Sequence, residues 1–440
     1  MRTTIGWTTA LLTLAAATLQ MAGAPALAAD HGGAAGLGRA PPESVGFSSQ
    51  RLTALGVNMH QLVEAGRYAG MTTLVVRHGK VVNFESHGMQ DMEAKRPMQR
   101  DTIFRIASMS KPVTGVGLMI LYEEGKWQLD DPVSKFLPEF AGMEVMTPDG
   151  QLVEPAHQMT MRELVTNTTG LPGGSNTRNP RVQKMYAAAD LRSGTLADLV
   201  TKVGRLPLGF QPGTEFEYGL NQDVQGRVIE VLSGQTLDAF LRDRIFQPLG
   251  MVDTGFGVPA AKRSRLVPVY DYDARGKLVR AEIPRSGEQP AFLSGGGGLF
   301  STAEDYLRFA MMLAGGGEFG GRRILAPSSV LLMRADLLPP GVQPHYASKM
   351  LGVGNGVDLR IILNPGLASF NGGPTGVGSY MWTGAYGTWW WNDPANDLIV
   401  IGMVQQNDAA QAHVGGPTPA PDLRALTRSL VYAALVEPEK

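Results

Sequence analysis

"RIASMSKPVTG", Arg105–Gly115, places a serine, Ser108, three residues before a lysine, Lys111, where a helical pattern begins. The apolar positions Val113, Val116 and Ile120 recur at helical spacing from there. Residues three apart share a helix face, so the Lys111 ammonium and the Ser108 hydroxyl can meet. A serine hydroxyl is a poor nucleophile until a neighbouring base takes its proton. The first N–H groups of a helix have no partner within it and point outward, free to bind a developing oxyanion. Pro112 is tolerated in a first turn because it lacks an N–H that would be unsatisfied there. Ser-x-x-Lys alone is a weak signal, because a chain this long shows roughly one by chance. The bland reading is a polar helix start with a solvated lysine, and the remaining sequence has to choose.

Competing nucleophile signals fail. No Gly-x-Ser-x-Gly elbow occurs, which argues against an α/β-hydrolase. The chain has no cysteine, so thiolate catalysis, disulfides and zinc–cysteine sites are excluded. His31, His60, His78, His87, His157, His345 and His413 are scattered, and none stands at metal-ligand spacing. Without a good histidine base, an activated serine here needs lysine and tyrosine. A net charge of -1 with no long run of one sign points away from nucleic acid and anionic membrane surfaces.

The 440 residues, 43% hydrophobic, suffice for one large or two medium cores. At the N-terminus Arg2 precedes an apolar Ala/Leu-rich stretch ending in Ala26-Leu27-Ala28, so residues 1–28 read as an export signal. The apolar part is broken by Thr and Gln and is short for a membrane span. The mature chain is therefore expected outside the cytoplasm, periplasmic or secreted. Residues 29–45, rich in Gly, Ala and Pro, read as a linker, and 46–440 as one domain.

The order of patterns along that domain predicts its architecture. A helix is expected from Ser49 to Gly66, then a hairpin of Met71–Val76 and Val81–Ser86 around Gly79. Near the other end Trp389–Trp391 and Leu398–Val404 flank the turn-rich "NDPAND", and a last helix runs from Leu423 to Leu435. A hairpin alone is marginal. One antiparallel sheet built from both chain ends, with a helical region of roughly 110–290 inserted, buries both. Helical patterns at Pro112–Glu124, Asp223–Leu232 and Ala303–Leu313 agree, the last opening with Ser301 and Glu304 in capping-box spacing. The fold class is α+β.

"DTIFRIASMSKPVTG" resembles the active-site segment of the serine β-lactamase and penicillin-binding-protein superfamily. It is most similar to the branch holding class C β-lactamases and family VIII carboxylesterases. Similar segments follow in order over about residues 42–408: "LDDPVSKFLPEF", "MRELVTNTTGLP" (with Asn167 where histidine is common), "PGTEFEYGLNQDVQGRVIE", "GGGGLFSTAEDYLRF" and "WTGAYGTWWWNDPANDLIVIGMVQ". The resemblance implies a β-lactamase/transpeptidase-like fold. It also implies Ser108 as nucleophile, Lys111 and Tyr218 as its proton acceptors, and the N–H groups of Ser108 and Ala385 as oxyanion hole. A phenol beside Lys111 has its anion stabilised, so its pKa should fall. Trp382, Thr383, Gly384 and Leu220 are expected to line the substrate pocket.

Two departures bear on substrate. Where β-lactamases of this branch usually read Tyr-x-Asn, this chain has Tyr218-Gly219-Leu220, with Asn221 one position late. Where many carry Lys-Thr-Gly, it has Trp382-Thr383-Gly384. A cation there helps hold the β-lactam carboxylate, whereas an indole offers apolar surface. Both changes favour neutral short-chain esters as small-molecule substrates, with no metal or organic cofactor implied. The alternatives are a β-lactamase, D-amino-acid peptidase or transacylase on the same fold, and an inactive binding or scaffold member. "MWTGAYGTWWW" could also form an aromatic platform, but one side of a strand should be buried, which favours core or pocket wall.

Overall fold

In the computed structural model the hairpins from the two ends of the chain pair with each other. Residues 37–173, 178–283, 288–345, 350–368, 373–407 and 422–437 are described. The central sheet comprises β1 (Gly70–Arg77), β2 (Lys80–Asp91), β3 (Arg96–Pro97), β4 (Val353–Asn355), β5 (Arg360–Ile362), β6 (Tyr380–Thr383), β7 (Trp389–Asp393) and β8 (Leu398–Val404). Their spatial order is β4-β5-β6-β7-β8-β1-β2-β3. The joint between the two ends is β1 against β8, antiparallel, with Met71 opposite Val404 and Leu74 opposite Ile401.

β8 is buried along its whole length, and its side chains alternate between two cores. Ile399, Ile401 and Met403 face the inserted helices, while Leu398, Val400 and Val404 face the terminal helices. Period-two alternation in a strand covered on both sides produces this division. The outer layer is α1 (Ser49–Glu64) and α7 (Leu423–Ala434). The inner layer includes α2 (Ser110–Glu123), α3 (Met161–Thr166), α4 (Leu196–Val203), α5 (Asn221–Ser233) and α6 (Ala303–Ala314). Val113, Val116 and Ile120 of α2 pack into the inner core with Val224 and Val228 of α5.

Two expectations need correction, the α6 cap and the linker, and one is met, the burial of the tryptophans. The helix α6 is capped one residue later than the Ser301/Glu304 spacing suggested: the Thr302 side chain accepts from the Asp305 N–H. Ser301 instead bonds Thr254 and stays in a short strand pair with Phe104. The last part of the expected linker is folded against the sheet edge, with the Ala40 N–H donating to the Val81 carbonyl and a 3-10 turn at Pro42–Val45. The tryptophans form no platform. Trp389, Trp390 and Trp391 are each 1% exposed, Trp390 against Tyr306, Phe309 and Tyr380, and Trp391 beneath the Arg428 guanidinium. The expected export signal, 1–28, lies outside the described residues. Among those described, no helix is long and apolar enough to cross a membrane.

Candidate active site

Ser108 sits one step before α2, in a 3-10 turn at Ala107–Met109, rather than in the first turn of the helix itself. Ala107 takes a left-handed φ of 45°, a conformation that costs a non-glycine residue of order 1–2 kcal/mol. The surroundings hold it there. The Ser110 hydroxyl donates to the Ala107 carbonyl at 2.7 Å and accepts from the Leu299 N–H at 3.1 Å. The Ile106 N–H donates to the Leu299 carbonyl, and the Tyr306 hydroxyl to the Met109 carbonyl.

The opposite wall is the turn joining β6 to β7. The Thr388 hydroxyl donates to the Ile106 carbonyl at 3.1 Å, which ties this turn to the one carrying Ser108. Gly384 permits the approach, because a Cβ there would collide with the Ile106 carbonyl and the Thr388 hydroxyl. Ala385 follows on the exposed tip. Among the described residues, no backbone hydrogen bond outside the helices and strands has the Ser108 or the Ala385 N–H as its donor.

Lys111 and Tyr218 converge on the serine. The buried Lys111 ammonium lies 3.4 Å from Ser108 Oγ and donates to the Gly296 carbonyl. That carbonyl belongs to the glycine run 295–298, wedged between α2 and α5. Asp223 of α5 accepts from the Gly296 N–H at 2.9 Å and from the Ser294 hydroxyl at 2.7 Å. Thr114 of α2 donates to the Gly295 carbonyl at 2.8 Å. A Cβ at Gly295 would strike the Gln222 carbonyl, so glycine is needed there, where α2 and α5 close on the backbone.

The Tyr218 hydroxyl donates to Ser108 Oγ at 2.7 Å, and the Lys111 ammonium stands 4.6 Å from the centre of the phenol ring. Burial alone would push the phenol up. The Lys111 charge and hydrogen bond, the Ser108 hydroxyl and the Arg360 charge outweigh it and hold Tyr218 below the usual tyrosine range. The Tyr218 backbone is fixed by the 167–173 segment: the Glu217 N–H donates to the Asn167 carbonyl, and the Gly173 N–H to Glu217 Oε1.

The residues expected to line the pocket divide. Thr383 is half-buried beside the exposed Ala385, and Gly384 is buried in the turn. Leu220 is buried and offers no amide where the resemblance expects asparagine. Asn221 is turned inward, its carbonyl accepting from Thr169 at 2.7 Å. Trp382 is only 1% exposed, so little of its indole is open to a ligand. Its ring stacks on Tyr218, centroids 6.1 Å apart at 25°, and lies under the Arg360 guanidinium at 4.9 Å.

Sequence reasoning missed the other charged groups nearby. Asp358 is fully buried, its Oδ1 accepting from the Gln222 amide at 2.6 Å and the Gln225 amide at 3.1 Å. Burial drives its carboxyl up to about 7, against those amides and the Lys111 charge. Asp358 and Arg360 lie in "GVDLRIIL", whose short apolar run carries no catalytic motif. Their role depends on β5 being the neighbour of β6, which no local pattern announces. Among the described residues no group of acidic or histidine side chains could hold a metal ion.

This geometry stands beside close relationships to known proteins. Residues 58–419 match the family model for Beta-lactamase. Protein Rv1367c of Mycobacterium tuberculosis (strain ATCC 25618 / H37Rv) is 36% identical over 377 residues, covering 82% of this chain and 93% of its own. Esterase EstB of Burkholderia gladioli is 31% identical over 393 residues, covering 85% of this chain and 93% of its own. The solved structure of EstCE1, described as a hydrolase with promiscuous acyltransferase activity, superposes with a TM-score of 0.72 at 27% identity. It covers 87% of this chain and 99% of that one. On the family match, the antiparallel sheet with its inserted helices, and these relatives, the chain belongs to the Beta-lactamase family and is a serine hydrolase of the β-lactamase fold.

Proposed function

We propose that the protein is a carboxylesterase acting on neutral esters with short acyl groups, through an acyl-enzyme on Ser108. The observation that carries the reading is the meeting of Ser108, Lys111 and Tyr218 in a site that has lost the groups suited to a β-lactam. Tyr218, as phenolate beside Lys111, takes the Ser108 proton across the 2.7 Å contact. Ser108 Oγ bonds to the ester carbonyl carbon. The Ser108 and Ala385 N–H groups receive the negative charge that develops on the carbonyl oxygen, an interaction that is often the largest single contribution to such catalysis. The carbon–oxygen bond to the alcohol breaks, and Tyr218 passes the proton to the leaving alkoxide. Water then attacks the acyl-enzyme by the same route, and the acid and free Ser108 are released.

Substrate preference follows from what the walls lack. Leu220 has no amide for a β-lactam side chain, and Trp382 brings no cation for its carboxylate. The similarity to Esterase EstB, an esterase by name, supports this reading. EstCE1, with its described acyltransferase activity, favours a second outcome at the same acyl-enzyme, in which an alcohol replaces water.

The test is initial rates on p-nitrophenyl acetate, butyrate and octanoate beside a chromogenic cephalosporin, with wild type and Ser108→Ala. Fast ester turnover lost in the variant, with little cephalosporin hydrolysis, is expected. Cephalosporin turnover at or above the ester rates would replace this reading with a β-lactamase. We further propose export, tested by signal-peptide cleavage and fractionation of the host cell.

A further inference from the structure

We propose that Arg360 is a positioning residue for this reaction: it clamps Trp382 against Tyr218 and sets a fixed positive charge behind the indole. The proposal rests on the reading of Ser108 and Tyr218 as nucleophile and base.

The contacts run in sequence through the site. The Arg360 guanidinium lies over the Trp382 ring at 4.9 Å, the Trp382 ring stacks on Tyr218, and Tyr218 meets Lys111 and Ser108. Arg360 and Trp382 are 6% and 1% exposed, so the contact between them is shielded from water. The strands fix where Arg360 starts, since it opens β5 opposite Met381 of β6 and Asn355 of β4. Indole is the best aromatic partner for a cation, and the attraction grows when the pair is desolvated. It also keeps its charge across the whole pH range.

This arrangement relocates a charge. In many β-lactamases the position of Trp382 is a lysine, which can face a substrate carboxylate. Here the cation stands over a buried indole and is itself buried, close enough to act on the phenol. Arg360 is among the groups that hold Tyr218 below its ordinary range, together with Lys111 and Ser108. Among the described residues, the other charged groups around this site include Glu217 beside Tyr218, Asp223 of α5, which acts through Gly296, and Asp358 before β5, whose carboxyl feels the Lys111 charge. Of the two cations, only Arg360 acts from the β5 side. Its removal therefore weakens the phenolate without touching Ser108 or Lys111.

The experiment measures the rate at which a fluorophosphonate labels Ser108, as a function of pH, so that it does not depend on the natural substrate. Wild type, Arg360→Met, Arg360→Lys and Tyr218→Phe are compared, with melting temperatures as a fold control. Tyr218→Phe should abolish the rise of rate with pH, which assigns that rise to Tyr218. Arg360→Met should move the rise upward by about half to one pH unit and slow labelling at pH 7.5 several-fold, since one unit is a tenfold change in the ionised fraction. Arg360→Lys should recover much of the shift, because it keeps the charge while losing the flat face. A lower rate at every pH with an unmoved profile in Arg360→Met would show a merely structural role and overturn the proposal. If Arg360→Met does not fold, Arg360→Gln takes its place, with the same upward shift expected and an unmoved profile again decisive against it. Labelling without ester turnover in wild type would sink only the esterase reading. Absence of labelling in wild type would sink both.

Discussion

At Ser108 the two proposed proton acceptors arrive from different directions: Lys111 from the first turn of α2 and Tyr218 from a segment 110 residues later. The phenol makes the shorter contact and carries the lowered pKa, so it is the group whose loss should be felt most. Tyr218→Phe keeps the ring that stacks on Trp382 and removes only the oxygen. It is expected to lower kcat/KM on p-nitrophenyl butyrate by about 10²–10⁴, the usual contribution of general acid–base catalysis, with little change in melting temperature. A phenol held below its ordinary range ionises earlier as pH rises. The wild-type rate should therefore climb with a midpoint below about 10, the ordinary tyrosine value. A midpoint at or above that value would contradict the electrostatic account of the site.

Single elements, rather than single residues, decide whether the proposed oxyanion donors face each other. The β6–β7 turn is docked on the Ser108 turn by the Thr388 hydroxyl and by the bare Cα of Gly384. Gly384→Ala should force the two turns apart and reduce esterase activity at least tenfold, since displacing one oxyanion donor costs more than about 2 kcal/mol. Thr388→Val should have a milder effect, about 0.5–1.5 kcal/mol of stability, since the Ile106 carbonyl loses the Thr388 hydroxyl but keeps the Met109 N–H. Urea denaturation of the two variants separates these outcomes. Elements with strong periodicity were legible beforehand: the helix from Ser110, the helix from Asn221 and both terminal hairpins stand within a few residues of their expected bounds. The strands at Val353–Asn355 and Arg360–Ile362 were not, because runs of three residues carry too little pattern to distinguish from a loop. With them went Asp358 and Arg360. Trp382 was legible as a departure from the family pattern, but its burial was not, since that depends on Arg360 covering it.

Across the whole molecule, the meeting of distant ends in β1 and β8 was readable because each hairpin is β-favouring in sequence and marginal alone. Packing against both faces of that sheet creates fully buried carboxyls whose effects no sequence pattern shows. Asp305, which accepts from the Asp253 N–H and the Thr254 hydroxyl, is pushed up to about 6 by burial, and Asp358 to about 7. Raised carboxyls stabilise the fold most when protonated. Their contribution is complete below the unfolded value near 4 and is lost as pH rises through about 6 and 7. Asp358→Asn, which is neutral at every pH, should match wild type near pH 4 and be more stable at pH 8, by up to about 4 kcal/mol for a shift of three units. Urea midpoints at the two pH values check this, and an equal difference at both would contradict it.

The most direct measurement of the central claim is rapid-quench mass spectrometry of the enzyme during turnover of p-nitrophenyl butyrate, with peptide mapping of the adduct. A single butyryl group on the peptide carrying Ser108, accumulating faster than any adduct from an equimolar cephalosporin, is the predicted result. An acyl group on another residue, ester hydrolysis that persists in Ser108→Ala, or a cephalosporin adduct that forms first would contradict it.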